Sequence, residues 1–202
     1  MTVFPMLKDP GSYGTKTNVF FPPVVGRYIR LHPLQWYNRP TLRMEFYGCE
    51  LDGCSLPLGM ESGAIEDHRI TASSTASSWY SGPWTPSLAR LNRRGNINAW
   101  QNNNMNQWLQ VELPQVKKIT GIITQGAKSL GKEMFVDSYS LQYSNDGIQL
   151  FSLQTFSGNT NNNDHVKNYI YPPIFSRFIR IIPRNWTSSI TMRIELLGCD
   201  FE

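Results

Sequence analysis

One segment of this sequence occurs twice, first at residues 18–50 (NVFFPPVVGRYIRLHPLQWYNRPTLRMEFYGCE) and again at residues 168–200 (NYIYPPIFSRFIRIIPRNWTSSITMRIELLGCD). The two segments align without a gap. A repeat separated by so long a distance is typical of a whole domain and not of a solenoid unit. The repeat therefore predicts a C-terminal fragment of one domain at residues 1–50 and a complete second copy at residues 54–202. Thirteen of the 33 aligned positions are identical: Asn18, Pro22, Pro23, Arg27, Ile29, Arg30, Pro33, Trp36, Thr41, Arg43, Glu45, Gly48 and Cys49.

Short strands are the secondary structure that the chain favours. Within residues 190–196 apolar side chains alternate with Thr191, Arg193 and Glu195, a period of two that predicts one buried face and one wet face. No segment of ten or more residues combines a helical period with capping residues. The sequence therefore predicts an all-β fold. The other segments that read as strands are 108–113, 117–124, 139–143 and 177–182.

Composition narrows the class of protein. Hydrophobic residues make up 40% of the chain and charged residues 17%, which is typical of a globular protein. The apolar runs are too short to span a membrane, and the N-terminus has no basic start followed by an apolar core, so no signal peptide is predicted. Basic residues exceed acidic ones by only 19 to 15, without a run of more than two, which disfavours a nucleic-acid partner.

The three cysteines follow the repeat. Cys54 begins the second copy and Cys199 ends it, so we expect a disulfide that joins its two ends and an extracellular, oxidising setting. Cys49 ends the first copy, and its partner is expected in the missing beginning of that copy. The alternatives are three reduced thiols or a zinc site that uses Cys49 and Cys54, for which no nearby histidine completes a recognised spacing.

Catalytic and metal-binding patterns are missing from the sequence. His32, His68 and His165 do not form a zinc-protease motif, and neither a nucleophile elbow nor a phosphate-binding glycine loop occurs. Residues 145–149 (NDGIQ) resemble the start of a calcium loop but lack its later acidic ligands, so a turn between strands is favoured. We therefore predict a binding module without enzymatic activity, bound metal or cofactor.

Two aromatic residues lie in a segment where packing in a core is not expected. Trp79 and Tyr80 lie among serines and before a Gly-Pro pair in residues 74–86 (STASSWYSGPWTP), a composition typical of a surface turn. Leu130 lies between Ser129 and Gly131 and cannot belong to a packed strand. We predict that these three side chains are exposed and functional. The other tryptophans are assigned to the core (Trp36, Trp100, Trp108 and Trp186) or to the base of the loop, partly buried (Trp84).

Several segments carry a resemblance to a known family: 54–74, 89–92, 98–100, 108–113, 121–129 and 172–186. They resemble the discoidin family, and more narrowly its factor V/VIII type C branch, over residues 18–202. The resemblance implies a jelly-roll β-sandwich whose loops form apolar spikes at one end. In that family the spikes enter phosphatidylserine-rich membranes without calcium.

Individual residues match the family's spikes. Trp79 and Tyr80 match the first spike and Leu130 the third, whereas the second loop, within residues 99–108, is two residues shorter than the family pattern. Similarity to factor V-type members implies the C-terminal part of a secreted coagulation cofactor, with coagulation proteins as partners through the parent chain. The alternatives are a lactadherin-like adhesion protein, or a discoidin-type lectin or receptor-ligand module. Expected contacts with lipid headgroups are Lys128, Lys132, Arg93, Arg94 and Gln101.

A glycosylation sequon, Asn185-Trp186-Thr187, lies near the end of the second copy. Its central tryptophan aligns with a position assigned to the core, which leaves the use of the sequon open.

Overall fold

The computed structural model describes residues 14–20, 24, 26, 28–47, 53–80 and 82–200. The chain divides into two compact units, residues 1–51 and 52–202. The second unit is built from strands, which confirms the all-β prediction, and two 3₁₀ turns (Asp67–Arg69 and Pro86–Leu88) interrupt its loops. The strands are β1 (Leu56–Pro57), β2 (Ile70–Ala72), β3 (Ser77–Ser78), β4 (Gly82–Pro83), β5 (Trp100–Asn102), β6 (Leu109–Gln125), β7 (Ala127–Ser129), β8 (Lys132–Ser144), β9 (Phe151–Ser157), β10 (Val166–Thr187) and β11 (Ile190–Cys199).

One curled antiparallel sheet organises this unit. Its strands follow the order β1-β11-β6-β10-β8-β7, and β2, β5 and β9 add to β6, β11 and β8 respectively. The long strand β6 pairs with β2 through residues 109–111 and with β11 through residues 118–125. Pro114 lies between these stretches and has no amide hydrogen to donate, and the register with β10 shifts there. The sheet therefore bends at this point and folds over a single main core.

Strand β11 is buried on both faces, which corrects the prediction of one wet face. Glu195 and Arg193 both lie inside the protein. The Glu195 carboxylate accepts hydrogen bonds from the backbone amides of Met60 and Glu61 at 3.0 and 2.8 Å. The Arg193 guanidinium donates to the carbonyl oxygen of Gly126 at 2.7 Å, and loss of water lowers its pKa. Loops thus cover the second face, and the alternating polar residues hold those loops.

The predicted disulfide is confirmed, since Cys54 and Cys199 are bonded. The bond joins Cys54, just before β1, to the last residue of β11, and these two strands are neighbours in the sheet. Cys49 lies outside the described residues, so its expected partner stays a prediction.

The first unit has a different local structure from the repeat that it resembles. Its described residues contain no strand or helix, whereas residues 168–200 form β10 and β11. Trp36 was predicted in the core by analogy with Trp186 but is 58% exposed. The reason is physical: Trp186 is placed by β10, which pairs with β6 and β8, whereas the described residues of the first unit form no strand that could place Trp36 in the same way. The division at residues 1–50 and 54–202 into two copies stays a prediction.

Candidate functional site

A short hairpin displays the first pair of candidate residues. Strands β3 and β4 pair through Ser77 with Pro83 and Ser78 with Gly82, and the Ser78 hydroxyl donates to the Gly82 carbonyl at 3.0 Å. The hairpin tip carries Trp79, which is 96% exposed. The Tyr80 ring meets the indole edge-on at a centroid distance of 5.7 Å. The hairpin is thus closed by its own backbone, and its tip presents aromatic surface to the outside.

A second hairpin displays Leu130. Ser129 of β7 pairs with Lys132 of β8, so Leu130 and Gly131 form a two-residue turn. Both have positive φ angles, 49° and 79°, as in a type I′ turn, where Asn and Gly are preferred at the two central positions. Leu130 is nevertheless a leucine, and it is 83% exposed. Neither the backbone nor the core therefore favours leucine at this position.

The two hairpins are joined to each other. The Tyr80 hydroxyl lies 2.7 Å from the Ser129 hydroxyl. Beneath the hairpins is a small second core, separate from the main one, made of Trp84, Ala99, Ala127 and Met134. Trp84 is completely buried there, which corrects the prediction that it is partly buried at the base of the loop. Residues from the bases of both hairpins thus share one core, which holds the two tips at the same end of the unit.

Gln101 lies where the hairpin bases meet. Its carbonyl accepts from the Ala76 amide at 2.8 Å, and its own amide donates to Trp84 at 3.3 Å. Its side-chain nitrogen donates to the Ser189 hydroxyl at 2.8 Å and to the Met134 sulfur at 3.2 Å. Gln101, which was predicted to contact lipid headgroups, therefore already forms hydrogen bonds within the protein, and these connect the hairpin bases to the end of the sheet.

The loop between β5 and β6 adds a residue that the sequence reasoning missed. Met105 is 76% exposed at its tip. Asn102 is buried and shapes the loop, because its side-chain oxygen accepts from the Asn104 amide at 2.9 Å. The Gln107 side chain also fixes the loop by donating to the Met105 carbonyl at 2.9 Å. The available signal was the single apolar residue in the otherwise polar run of residues 102–107.

Four cations complete the predicted set, and all four are exposed. Lys128 and Lys132 flank the Leu130 turn on the two strands of its hairpin. Arg93 and Arg94 belong to a different loop, and the Arg93 carbonyl accepts from the Arg193 guanidinium at 3.0 Å. Arg193 also binds Gly126, the residue before β7, so this loop lies beside the base of the Leu130 hairpin and not at its tip.

The remaining tryptophans differ in depth. Trp100 is buried, and its indole nitrogen donates to the Ser74 carbonyl at 3.0 Å. Trp186 packs half-buried against the main core. Trp108, predicted in the core, is only partly buried, and the Arg180 guanidinium lies 4.2 Å from its ring centroid. The prediction that Trp108 lies in the core is therefore wrong, because part of its side chain is exposed.

Metal-binding geometry does not occur among the described residues, where no three His, Cys, Asp or Glu side chains cluster. The segment compared with a calcium loop is a turn. One carboxylate oxygen of Asp146 accepts from the amides of Ile148 and Gln149 at 2.8 and 2.9 Å. These backbone donors hold the pKa of Asp146 below its ordinary value. The carboxylate is thus engaged in closing its own turn.

Most of the second unit matches a known domain family. The model of the F5/8 type C domain matches residues 69–196, a range that includes both hairpins. The chain belongs to the factor V/VIII type C, or discoidin, domain family. Coagulation factor V of Mus musculus is 56% identical over 195 residues, covering 92% of this chain. The pseutarin-C non-catalytic subunit of a venom prothrombin activator from Pseudonaja textilis is 52% identical over the same share. Its name agrees with the prediction of a module without enzymatic activity.

A third relative is not named as a coagulation protein. The EGF-like repeat and discoidin I-like domain-containing protein 3 of Mus musculus is 50% identical over 90% of this chain. The chain spans only 9% of the mouse factor V, 13% of the venom subunit and 40% of this third relative. Among solved structures, wild-type discoidin II from Dictyostelium discoideum superposes with a TM-score of 0.60 at 19% identity, covering 77% of this chain and 61% of that chain. That likeness supports the jelly-roll fold and nothing further.

Proposed function

We propose that this domain is a non-catalytic module that binds membranes peripherally, inserting Trp79, Tyr80 and Leu130 into a phosphatidylserine-rich surface. The observation that carries the proposal is the position of these three exposed apolar side chains on adjoining hairpins over a shared small core. An exposed apolar patch of this kind marks an interaction site. No helix among the described residues is long and apolar enough to cross a bilayer.

The residue types suit the boundary between lipid and water. Tryptophan and tyrosine combine an apolar ring with a polar group that can stay hydrated at headgroup level. Burying such side chains contributes about 1.5–3 kcal/mol each at full burial, and less at the interface. Lys128 and Lys132 beside Leu130 add about 1 kcal/mol each near anionic lipid. The sum is a reversible anchor, so stable attachment calls for a second module.

For the parent protein, we infer a secreted coagulation cofactor of the factor V type. The factor V relatives and the venom subunit support this inference, and their matches cover 92% of the chain and therefore extend into residues 1–51. The disulfide between Cys54 and Cys199 supports an extracellular location. Coagulation proteins would then be partners through the parent chain. Sequencing the neighbouring exons tests this inference, because growth-factor-like modules there would assign the parent to the adhesion class instead.

A double substitution tests the membrane proposal. Replacing Trp79 and Tyr80 by alanine should weaken binding to phosphatidylserine vesicles by about 3–5 kcal/mol, because two partly inserted rings are lost. The melting temperature should stay nearly unchanged, since neither ring lies in a core. Co-sedimentation with vesicles, with and without phosphatidylserine, measures the binding, and a melting curve measures the stability.

The matched control is Ile148→Ala. Ile148 is 85% exposed, close to the 83% of Leu130, but it follows β8 at the end opposite to the Leu130 turn. The 13 residues of β8 place the two positions about 40 Å apart along the strand. The control should bind like the unmodified chain. Equal binding to neutral vesicles, or a large loss of stability in the double variant, would contradict the proposal.

A further inference from the structure

The chain has one N-linked glycosylation sequon, Asn185-Trp186-Thr187, and no other Asn-x-Ser/Thr occurs in the 202 residues. The sequence leaves its use open because Trp186 aligns with a core position. A sequon can carry a sugar only where the folded chain leaves room for it, normally at the surface. Use of the sequon therefore requires Asn185 to face water while its neighbour packs inward.

The alternation of a β-strand allows both. Side chains of successive strand residues point to opposite faces. Trp186 is half-buried and packs against the main core, whereas Asn185 and Thr187 on either side of it are exposed. A core tryptophan at the centre of the sequon is thus compatible with an outward-facing acceptor and hydroxyl.

The backbone around Asn185 is open as well. Strand β10 pairs with β6 only as far as Ile181, and beyond that residue it pairs, within the described chain, with β8 on one side. Asn185 pairs with Ser138 of β8, and the register shifts on both sides of this pair. The strand ends two residues later at Thr187. An oligosaccharide attached here would leave from a strand edge near a turn and would not cross the sheet.

The Asn185 side chain is not used by the fold. Within the described part of the chain, its amide group forms no hydrogen bond with another residue. The Thr187 hydroxyl is exposed and lies 3.4 Å from each carboxylate oxygen of Asp137, a long contact. Substituting Asn185 therefore removes no interaction that stabilises the domain.

The redox chemistry of the chain points to the required compartment. The disulfide between Cys54 and Cys199 forms in an oxidising environment such as the lumen of the secretory pathway. Transfer of N-linked sugar takes place in that same lumen, so the chain meets the transferase on its way out.

We propose that Asn185 carries an N-linked oligosaccharide. In the transfer step a bond forms between Nδ2 of Asn185 and the anomeric carbon of the first sugar. The bond between that carbon and the diphosphate of a lipid-linked oligosaccharide donor breaks. The diphosphate leaves with the bonding pair, the amide gives up one proton to a base of the transferase, and nothing is oxidised or reduced. The argument for this site does not rest on the membrane-binding proposal.

The test is secretion of the full chain from cultured animal cells behind a cleavable leader. Chains from both the medium and the cell lysate are treated with peptide N-glycosidase and compared by gel mobility. We expect the treatment to increase mobility and to convert Asn185 into Asp, which peptide mass spectrometry locates. Because the sequon is single, the mobility change reports on this residue alone.

Three variants separate glycosylation from other effects on the chain. Asn185→Gln and Thr187→Ala remove the sequon and should abolish the glycosidase-sensitive shift. Thr187→Ser alters the same side chain but keeps the sequon and should retain the shift. Unmodified Asn185 in both secreted and retained chains would overturn the proposal, as would a shift of equal size in Asn185→Gln.

Discussion

Replacing Leu130 by asparagine should make the domain more stable and at the same time weaken its binding to membranes. The two effects have different causes. Leu130 has a φ of 49°, a left-handed conformation that disfavours a leucine and that asparagine tolerates. Leu130 is also 83% exposed, so the substitution removes no core contact. Few surface substitutions are expected to change stability and binding in opposite directions.

The magnitudes follow from the geometry of the turn. A left-handed conformation costs an ordinary residue about 1–2 kcal/mol, and relief of part of this cost should stabilise the domain by up to about 1 kcal/mol. For a unit of this size, that gain raises the melting temperature by about 2–4 °C. Loss of one partly inserted leucine should weaken vesicle binding by about 1–2 kcal/mol, or roughly 5- to 30-fold.

A calorimetric melt and a vesicle titration on the same preparation measure both effects. The control is Ile148→Asn, which makes the same kind of change at an equally exposed residue that lies at the other end of β8. Ile148 is not among the residues with positive φ, so the control should gain no stability and lose no binding. Our reasoning is refuted if Leu130→Asn lowers the melting temperature, or if both variants lose vesicle binding equally.

Two further predictions concern the second loop and the disulfide. Met105→Ala should lower the affinity for phosphatidylserine vesicles by about 3- to 10-fold without lowering the melting temperature, because Met105 is exposed at a loop tip. Unchanged affinity would show that this loop does not contact the membrane. Cys54 and Cys199 are 145 residues apart, so reduction of the bond between them should lower the free energy of unfolding by about 5 kcal/mol on the chain-entropy model. Denaturant titration with and without reductant measures this loss. A loss below about 1 kcal/mol would show that the reduced, unfolded chain is already compact.

The sequence predicted the exposed tip residues because local composition alone decides their position. Trp79 and Tyr80 are flanked by small polar residues and a Gly-Pro pair, so no apolar period could draw them into a core. The same holds for Leu130, between a serine and a glycine. The disulfide was predicted from the repeat instead, since Cys199 lies at the end of its second segment and Cys54 follows shortly after its first.

Features that depend on distant segments were not predictable. The alternation in β11 correctly describes an amphipathic strand, but the loops that cover Arg193 and Glu195 come from other parts of the chain. Trp84 looked like a residue at the base of a loop because its partners Ala127 and Met134 lie on the other hairpin. Gln101 resembled a free polar residue for the same reason. Local pattern fixes which side chains lack a nearby apolar partner, but not which ones find a partner elsewhere.

The small core under the hairpins would let the domain meet the two opposed demands of the proposed membrane binding. A membrane-binding tip must expose apolar residues, which weakens a fold, whereas a stable sandwich must bury them. Here the tips are supported by Trp84, Ala127 and Met134, which form a cluster separate from the buried residues of the main core. The tip residues themselves belong to neither cluster. Substitutions at the tips should therefore change the proposed membrane contact without loosening the sandwich, and the strain of the Leu130 turn stays within that turn.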